Sequence, residues 1–168
     1  DLIVGDFDSH PEPETDAEVI RLPREKDDTD TVFAVKEAVR RGFDEFLLIG
    51  VIGGRFDHTF ANVSILVMLH EMGRQGQIAD DYSVMELIGA KPVFVTDDCA
   101  YFSLLNITGE AENIDITGAK YPLQHAQIRS DYQYGVSNEV LPGHTAQISV
   151  GKGVLLLIKV YRDIEREV

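Results

Sequence analysis

The stretch EFLLIGVIGGRFDH, residues 45–58, runs from an apolar segment through paired glycines into a polar segment. Its first half is continuously apolar and has the length of a strand, as expected in a sheet that is covered on both faces. The segment RFDHTFANVSILVMLHEMG follows and predicts a long, largely buried helix that ends near Gly73. Alternation of strand and helix is typical of an open parallel sheet, so this stretch predicts an α/β domain.

The residues before this stretch repeat the same alternation. LIV at 2–4 and EVIRLP at 18–23 predict short strands, and the second of them ends at a proline. DDTDTVFAVKEAVRRGF at 27–43 predicts a helix with Asp28 or Thr29 as its N-cap. The first half of the chain therefore consists of strand and helix segments in turn.

The pattern changes near residue 80, where short segments rich in β-branched and aromatic residues alternate with Gly, Asn, Asp and Pro. This spacing predicts a small antiparallel β-sandwich, with GRQGQIADD at 73–81 as the linker. The predicted fold class is α/β plus all-β, with an open, mostly parallel α/β domain over residues 1–78 and a β-sandwich domain over residues 79–168. The predicted sandwich strands lie in YSVMELIGA, KPVFVTD, AYFSLLNIT, NIDITGA, HAQIRSD, HTAQISVGKG and VLLLIKVYRD.

The composition excludes several classes of partner. A net charge of −14 argues against nucleic acid and anionic membranes as the main partners. No apolar run approaches the ~20 residues of a membrane helix. Cys99 is the only cysteine, which excludes a disulfide framework and favours a reducing cytoplasm.

Two carboxylates follow the first predicted strand in GDFDS. In an extended chain Asp6 and Asp8 would point the same way, beyond the carboxyl end of the strand, where ligands of open α/β sheets bind. Like charges at this distance repel unless a proton or a cation lies between them, and Mg²⁺ prefers such oxygen ligands. The alternative is a turn in which Asp6 or Ser9 is a capping residue.

Two further polar stretches follow predicted strands. KDDTD places Lys26, which suits phosphate, beside Asp27 and Asp30 at a helix start, where acids also stabilise the helix dipole. In GVIGGRFDH the glycines permit close backbone approach to a ligand, and Arg55 can bind phosphate in a bidentate manner. Taken singly, Asp57 is better explained as an N-cap and the neighbouring histidine as a surface residue.

Together the three stretches predict a site for a metal–nucleotide polyphosphate. Each follows a predicted parallel strand, so all three are expected to meet at one edge of the sheet. Their carboxylates, lysine, arginine and glycine turn are the groups that hold such a ligand. The α/β domain is therefore predicted to bind a nucleotide.

In this order and spacing, GDFDS, KDDTD and GGRFDH resemble the thiamin pyrophosphokinase (thiamin diphosphokinase) family. GAKYPL at 118–123 and GVSNE at 135–139 resemble its β-domain. The resemblance implies the reaction ATP + thiamin → AMP + thiamin diphosphate, with Mg²⁺. It also implies a cytoplasmic homodimer with active sites between the subunits. Thiamin is a cation, which an acidic protein suits.

The resemblance also assigns roles to residues. It implies that Asp6, Asp8 and Asp30 are the metal-binding and catalytic carboxylates, with Asp30 as our choice for the base. Thiamin would meet Ser137 and Asn138 in the partner's site. The ATP and phosphate region would be lined by Lys26, Asp27, Arg55, Asp57, His58 and Asn62.

Two features depart from the family pattern. The family carries a strand and a glycine motif before GDFDS, so we expect the first strand of the sheet to be missing here. The chain also has no tryptophan to stack on thiamin, and Tyr132 or Tyr134 could replace it, although a tyrosine in a strand is more often packed.

Three alternatives stay open from the sequence. A pyrophosphokinase could act on another alcohol, such as a hydroxymethylpterin. The DxD pattern also resembles haloacid-dehalogenase-type phosphatases, in which Asp6 would be the nucleophile. The third alternative is a regulatory module that binds a nucleotide or a thiamin derivative without turnover.

Overall fold

In a computed structural model the structure describes residues 1–8 and 11–161, which group into two compact units. The first unit is Asp1–Glu45 and the second begins at Phe46. Ser9, one of the predicted capping residues, lies outside the described part. The first unit and the adjoining strand hold β1 (Leu2–Gly5), β2 (Glu18–Arg21), α1 (Asp30–Arg40) and β3 (Glu45–Ile49). The rest comprises α2 (Phe56–Glu71), β4 (Gln75–Ala79), β5 (Ser83–Ile88), β6 (Val93–Thr96), β7 (Tyr101–Leu105), β8 (Glu110–Thr117), β9 (Leu123–Arg129), β10 (Thr145–Gly153) and β11 (Leu155–Val160).

The first unit is built on a parallel pair of strands. β1 and β2 run in register from Leu2 opposite Glu18 to Gly5 opposite Arg21. Thr29 is the N-cap of α1, because its hydroxyl accepts the Val32 N–H at 3.3 Å. The predicted strands and helix of this unit are confirmed, and α1 begins immediately after the KDDT residues.

The second unit contains two sheets with one shared apolar core. The strand orders are β3-β4-β5-β11-β7 and β6-β10-β8-β9. Phe102 and Leu157 from the first sheet and Ile114 and Ile148 from the second are fully buried in the same cluster. All seven short strands predicted from residue 80 onward are confirmed. Alternation along them places one apolar face of each sheet in this core.

The predicted linker GRQGQIADD is wrong, because it contains β4. This strand pairs antiparallel with β5, with Ile78 opposite Met85. Helix α2 packs closely against β4 at Gly76, because a Cβ there would lie 2.7 Å from Leu69 Cδ1 and 3.1 Å from Leu66 Cδ2. The glycine in the pattern therefore marks helix–sheet contact and not a turn. The domain boundary predicted after residue 78 falls within β4 and stays a prediction.

The expectation of one open parallel sheet also differs from the structure. Among the described residues β1 and β2 form a sheet of their own, whereas β3 neighbours β4. The apolar residues of β3 differ in their exposure. Leu48 packs in a core cluster with Leu66, but Leu47 and Ile49 are 58% and 72% exposed. Within the described chain, no helix is long and apolar enough to cross a bilayer.

Candidate active site

Two of the predicted motifs meet in the first unit around a lysine. Asp6 directly follows β1, Lys26 lies in the loop after β2, and Asp30 is the first residue of α1. Lys26 Nζ lies 2.6 Å from Asp6 Oδ2 and 2.8 Å from Asp30 Oδ1. The Asp6 N–H also donates to Asp30 Oδ2 at 3.4 Å. The ends of three elements therefore converge on one ammonium group.

Lys26 and Asp6 each favour the charged form of the other. The Lys26 ammonium, with help from the Asp8 N–H, holds the pKa of the Asp6 carboxyl below its ordinary value. In return Asp30 and Asp6 raise the pKa of Lys26. The side chains of Lys26 and Asp6 are only 15% and 12% exposed, so water screens this contact weakly.

The extended conformation predicted for GDFDS is wrong. Phe7 has a φ of 54°, a left-handed conformation that is rare for a bulky residue. The turn is closed by the Asp8 N–H, which donates to Asp6 Oδ1 at 3.2 Å. Asp6 therefore is a turn-capping residue, as in the alternative, and at the same time an ionic partner of Lys26. Backbone strain of this kind is typical of functional sites.

The carboxylates offer part of a cation site. Among the described residues, no group of three His, Cys, Asp or Glu side chains is arranged to hold a metal ion, so the predicted trio does not form a ready-made site. Asp6 and Asp30 nevertheless converge on a single cation, the Lys26 ammonium. Asp30 Oδ1 is buried and accepts no hydrogen bond from the described residues, apart from its ionic contact with that ammonium. These oxygen donors fit a hard ion such as Mg²⁺.

A cavity of about 470 Å³ lies beside the same lysine within the first unit. Asp27, a predicted phosphate-region residue, is part of its wall. Asp28 is paired with Lys36 Nζ at 2.8 and 2.9 Å. The wall mixes charged and apolar side chains, which is typical of small-molecule sites. It comprises Leu22, Pro23, Lys26, Asp27, Asp28, Phe33 and Lys36.

The glycine turn of the second unit is braced by two side chains from α2. Thr59, which sequence reasoning missed, accepts the Gly53 N–H at 3.1 Å through its hydroxyl. Asn62 was predicted to line the ATP region, but its side chain is buried and its Nδ2 donates to the Val51 carbonyl at 2.8 Å. Gly53 has a φ of 111°, which only glycine adopts readily. Asn62 and Thr59 thus fix the turn.

Arg55 and Asp57 form an exposed bidentate pair at the start of α2. Arg55 Nε and Nη2 lie 3.1 and 2.5 Å from the two carboxylate oxygens of Asp57. The guanidinium lowers the pKa of Asp57 to about 2. Arg55 is the N-cap residue of the helix, so the N-cap explanation of Asp57 is wrong, although Asp57 accepts the His58 N–H at 3.0 Å. The Arg55 side chain is 73% exposed.

The two β-half motifs lie side by side in the second unit. Ala119 and Val140 form a bridge between them, and the Lys120 N–H donates to the Glu139 carbonyl at 2.9 Å. Asn138 is buried and holds Tyr121 through both its amide oxygen and its amide nitrogen. GAKYPL and GVSNE therefore form one surface.

Ser137, in this surface, has a left-handed φ of 57°, and its N–H donates to Ser103 Oγ at 3.0 Å. Ser103 was missed by sequence reasoning, and the only signal for it is a hydroxyl within an apolar strand. Tyr132 and Tyr134, the candidate stacking aromatics, have ring centroids 5.5 Å apart and are both exposed. Tyr134 also donates its hydroxyl to the Gln127 carbonyl at 2.7 Å.

Comparisons with known proteins agree with these motifs. Residues 1–77 match the family model for the catalytic domain of thiamin pyrophosphokinase, and residues 94–155 match that for its vitamin B1 binding domain. The thiamine pyrophosphokinase of Bacillus subtilis (strain 168) is 26% identical over 163 residues, 92% of this chain and 76% of that protein. The crystal structure of thiamin pyrophosphokinase from Geobacillus thermodenitrificans resembles this chain with a TM-score of 0.78, over 96% of this chain and 77% of that one. The two sequences are 30% identical. The enzyme from Candida albicans shares the fold, with 15% identity and a TM-score of 0.76 over 95% and 73% of the two chains. This chain belongs to the thiamin pyrophosphokinase family.

Proposed function

We propose that this chain transfers the pyrophosphoryl group of ATP to the hydroxyl of thiamin, giving thiamin diphosphate and AMP. As a member of this family the chain is an enzyme, a diphosphotransferase. The geometric observation that supports the reaction best is the Lys26 ammonium held between Asp6 and Asp30. The comparisons do not support a phosphatase or an enzyme for hydroxymethylpterin.

The reaction needs positioning and neutralisation of charge more than covalent catalysis. The thiamin hydroxyl oxygen bonds to the β-phosphorus, the bond from that phosphorus to the bridging oxygen breaks, and AMP leaves with the electron pair. Lys26 would offset the charge of the phosphates, and Arg55 would bind them through its exposed guanidinium. Asp27, Asp57, His58 and Asn62 complete the proposed ATP region, and Asn62 acts there by bracing the glycine turn.

Asp6, Asp8 and Asp30 are the proposed holders of Mg²⁺, which would supply positive charge to the phosphate oxygens. Asp30 is the proposed acceptor of the thiamin hydroxyl proton. Its side chain is 41% exposed, against 12% for that of Asp6, so a substrate hydroxyl can reach it more readily. The two oxygens of Asp6 are held at shorter distances, 2.6 Å from Lys26 Nζ and 3.2 Å from the Asp8 nitrogen, against 2.8 and 3.4 Å for the contacts of Asp30, so Asp6 suits the role less well.

The β-half is the proposed thiamin-binding part. Residues 94–155 match the vitamin B1 binding model, and this range contains Ser137 and Asn138. We place these residues at the partner subunit's active site in a cytoplasmic homodimer. The net charge of −14 favours a cationic substrate such as thiamin.

AMP release from ATP, with and without thiamin, tests the reaction. We expect AMP and thiamin diphosphate in equal amounts, only when thiamin and Mg²⁺ are present. AMP formation with hydroxymethylpterin in place of thiamin would reject the substrate, and a phospho-aspartate at Asp6 would reject the reaction class.

A second experiment tests the shared sites. Asp30→Ala and Ser137→Ala protomers, each inactive, are expected to regain activity when they are mixed and allowed to exchange subunits. No recovery after proven exchange would place each site within one chain.

A further inference from the structure

Ser137 is held in a strained conformation by strand β7. Its φ of 57° lies in the left-handed region, which is unfavourable for a residue with a side chain. Its N–H donates to Ser103 Oγ at 3.0 Å, and Ser103 lies in the middle of β7 with 9% of its surface exposed. The next residue, Asn138, exchanges two backbone hydrogen bonds of 2.8 Å with Phe102. Hydrogen bonds from two successive residues, Ser137 and Asn138, therefore hold the turn against strand β7.

Asn138 connects this anchored turn to the other β-half motif. Its Oδ1 accepts N–H groups from Tyr121 at 3.0 Å and from Glu139 at 2.9 Å. Its Nδ2 donates to the Tyr121 carbonyl at 2.8 Å. An amide oxygen has two lone pairs and an amide nitrogen two donors, so one N–H at most is left for any ligand. Only 6% of the Asn138 surface is exposed, so its amide group holds the Tyr121 backbone and has little surface left for contact with a substrate.

Tyr121 is the side chain that this arrangement presents. It is 57% exposed, although both its backbone polar groups are held by Asn138. Lys120 Nζ lies 5.6 Å from the centroid of its ring and 2.7 Å from Glu139 Oε1. An aromatic ring on a fixed backbone offers a large contact area that loses little conformational freedom when a ligand binds.

We propose that Ser103 and Asn138 are positioning residues for thiamin, which hold Ser137 and Tyr121 in one fixed arrangement. The proposal rests on the proposed function, because it takes the surface of GAKYPL and GVSNE to be the thiamin-binding surface. Ser103 acts through the backbone of Ser137, and Asn138 through the backbone of Tyr121. Neither residue needs to contact the substrate.

Hydrogen exchange tests the structural part without any turnover. In Ser103→Ala the Ser137 N–H loses its acceptor, so its exchange rate should rise about tenfold, as expected for one lost hydrogen bond. Ser149→Ala, in β10, is the matched control, with the same atoms removed from the same half of the chain. Equal exchange rates at Ser137 in the wild type and in Ser103→Ala would overturn the anchoring role.

Steady-state kinetics test the functional part. Ser103→Ala should raise KM for thiamin about tenfold and leave KM for ATP within about twofold, because the loss is confined to the thiamin surface. Ser103→Thr, which keeps the hydroxyl, should restore KM. Asn138→Asp keeps the oxygen that accepts the Tyr121 and Glu139 N–H groups and loses only the Nδ2 donor, so it should bind thiamin better than Asn138→Ala. An unchanged KM for thiamin in Ser103→Ala would refute the proposal, whereas a wild type that releases no AMP with thiamin would refute the proposed function instead.

Discussion

Replacement of Lys26 by methionine removes an ammonium group that Asp6 and Asp30 share. The change keeps the length of the side chain but deletes contacts of 2.6 and 2.8 Å. Both carboxylate oxygens lie within 2.8 Å of the same nitrogen atom, so each is within about twice that distance of the other. At such separations like charges raise each other's pKa. We therefore expect the pKa of Asp6 to rise in Lys26→Met, because its largest lowering cause is gone.

The catalytic effect follows from the loss of a preorganised charge. Removal of one such donor to a charged transition state typically costs about 10²–10³-fold in kcat, and we expect a loss of this size. The vacated carboxylate pair should bind Mg²⁺ more tightly, so half-maximal activity should occur at a lower Mg²⁺ concentration. AMP release measured across a Mg²⁺ titration gives both kcat and the Mg²⁺ concentration at half-maximal activity. An NMR titration of the Asp6 carboxyl carbon gives the pKa of that residue.

Lys152 provides a matched control in the second unit. Its Nζ also contacts two carboxylates, Glu110 Oε2 at 2.9 Å and Glu112 Oε1 at 3.4 Å, but it belongs to none of the motifs. Lys152→Met should therefore keep wild-type kcat and the wild-type Mg²⁺ requirement. A Lys26→Met enzyme with activity close to that of Lys152→Met would refute the role of this lysine. An unchanged pKa of Asp6 would refute the electrostatic argument.

Three further substitutions each test one contact in the structure. The flanking arginines lower the pKa of Glu37 from 4.5 to about 2. Glu37 thus stabilises the fold above about pH 4.5, and this contribution is lost as pH falls toward 2. Glu37→Gln should therefore reduce the dependence of stability on pH in that range, as measured by circular dichroism during acid unfolding. In Gly76→Ala the new Cβ would lie 2.7 Å from Leu69 Cδ1, which should cost about 1–3 kcal/mol in urea unfolding. Asn62→Ala loses the hydrogen bond to the Val51 carbonyl, which should cost about 1–3 kcal/mol in urea unfolding and raise KM for ATP. An unchanged KM for ATP would show that the turn braced by Asn62 is not needed for ATP binding.

Local patterns predicted most of the secondary structure. The cap at Thr29 and the strands of the β-half depend on near neighbours in sequence, and the structure confirms them. β4 was missed because Gly76 looks like a turn residue in sequence, whereas its role is to admit Leu69 of α2. The reason for that glycine lies in a tertiary contact with a helix, which no single-strand pattern contains.

Conformation inside the motifs was less predictable than their positions. GDFDS was expected to be extended, yet Phe7 is left-handed because the Asp6 carboxylate draws the Asp8 N–H back toward it. This hydrogen bond competes with extended backbone, and Lys26 holds the other oxygen of the same Asp6 carboxylate at 2.6 Å. That second contact joins residues twenty positions apart, so the sequence around Phe7 does not contain the cause.

The motif residues divide into two physical kinds, which predict different roles. Charged groups are costly to bury without a partner, so Lys26 and Asp6 are enclosed only as an ion pair, whereas the Arg55 and Asp57 pair stays exposed. Amides can be buried at little cost when their hydrogen bonds are complete, and Asn62 and Asn138 are both buried with backbone partners. A motif therefore predicts that an amide lies near the site, but it does not predict whether the side chain faces the ligand or the protein backbone. Exchange of Asn138 for alanine should accordingly weaken thiamin binding through the displacement of Tyr121, and weakened binding with Tyr121 still in place would refute the positioning role.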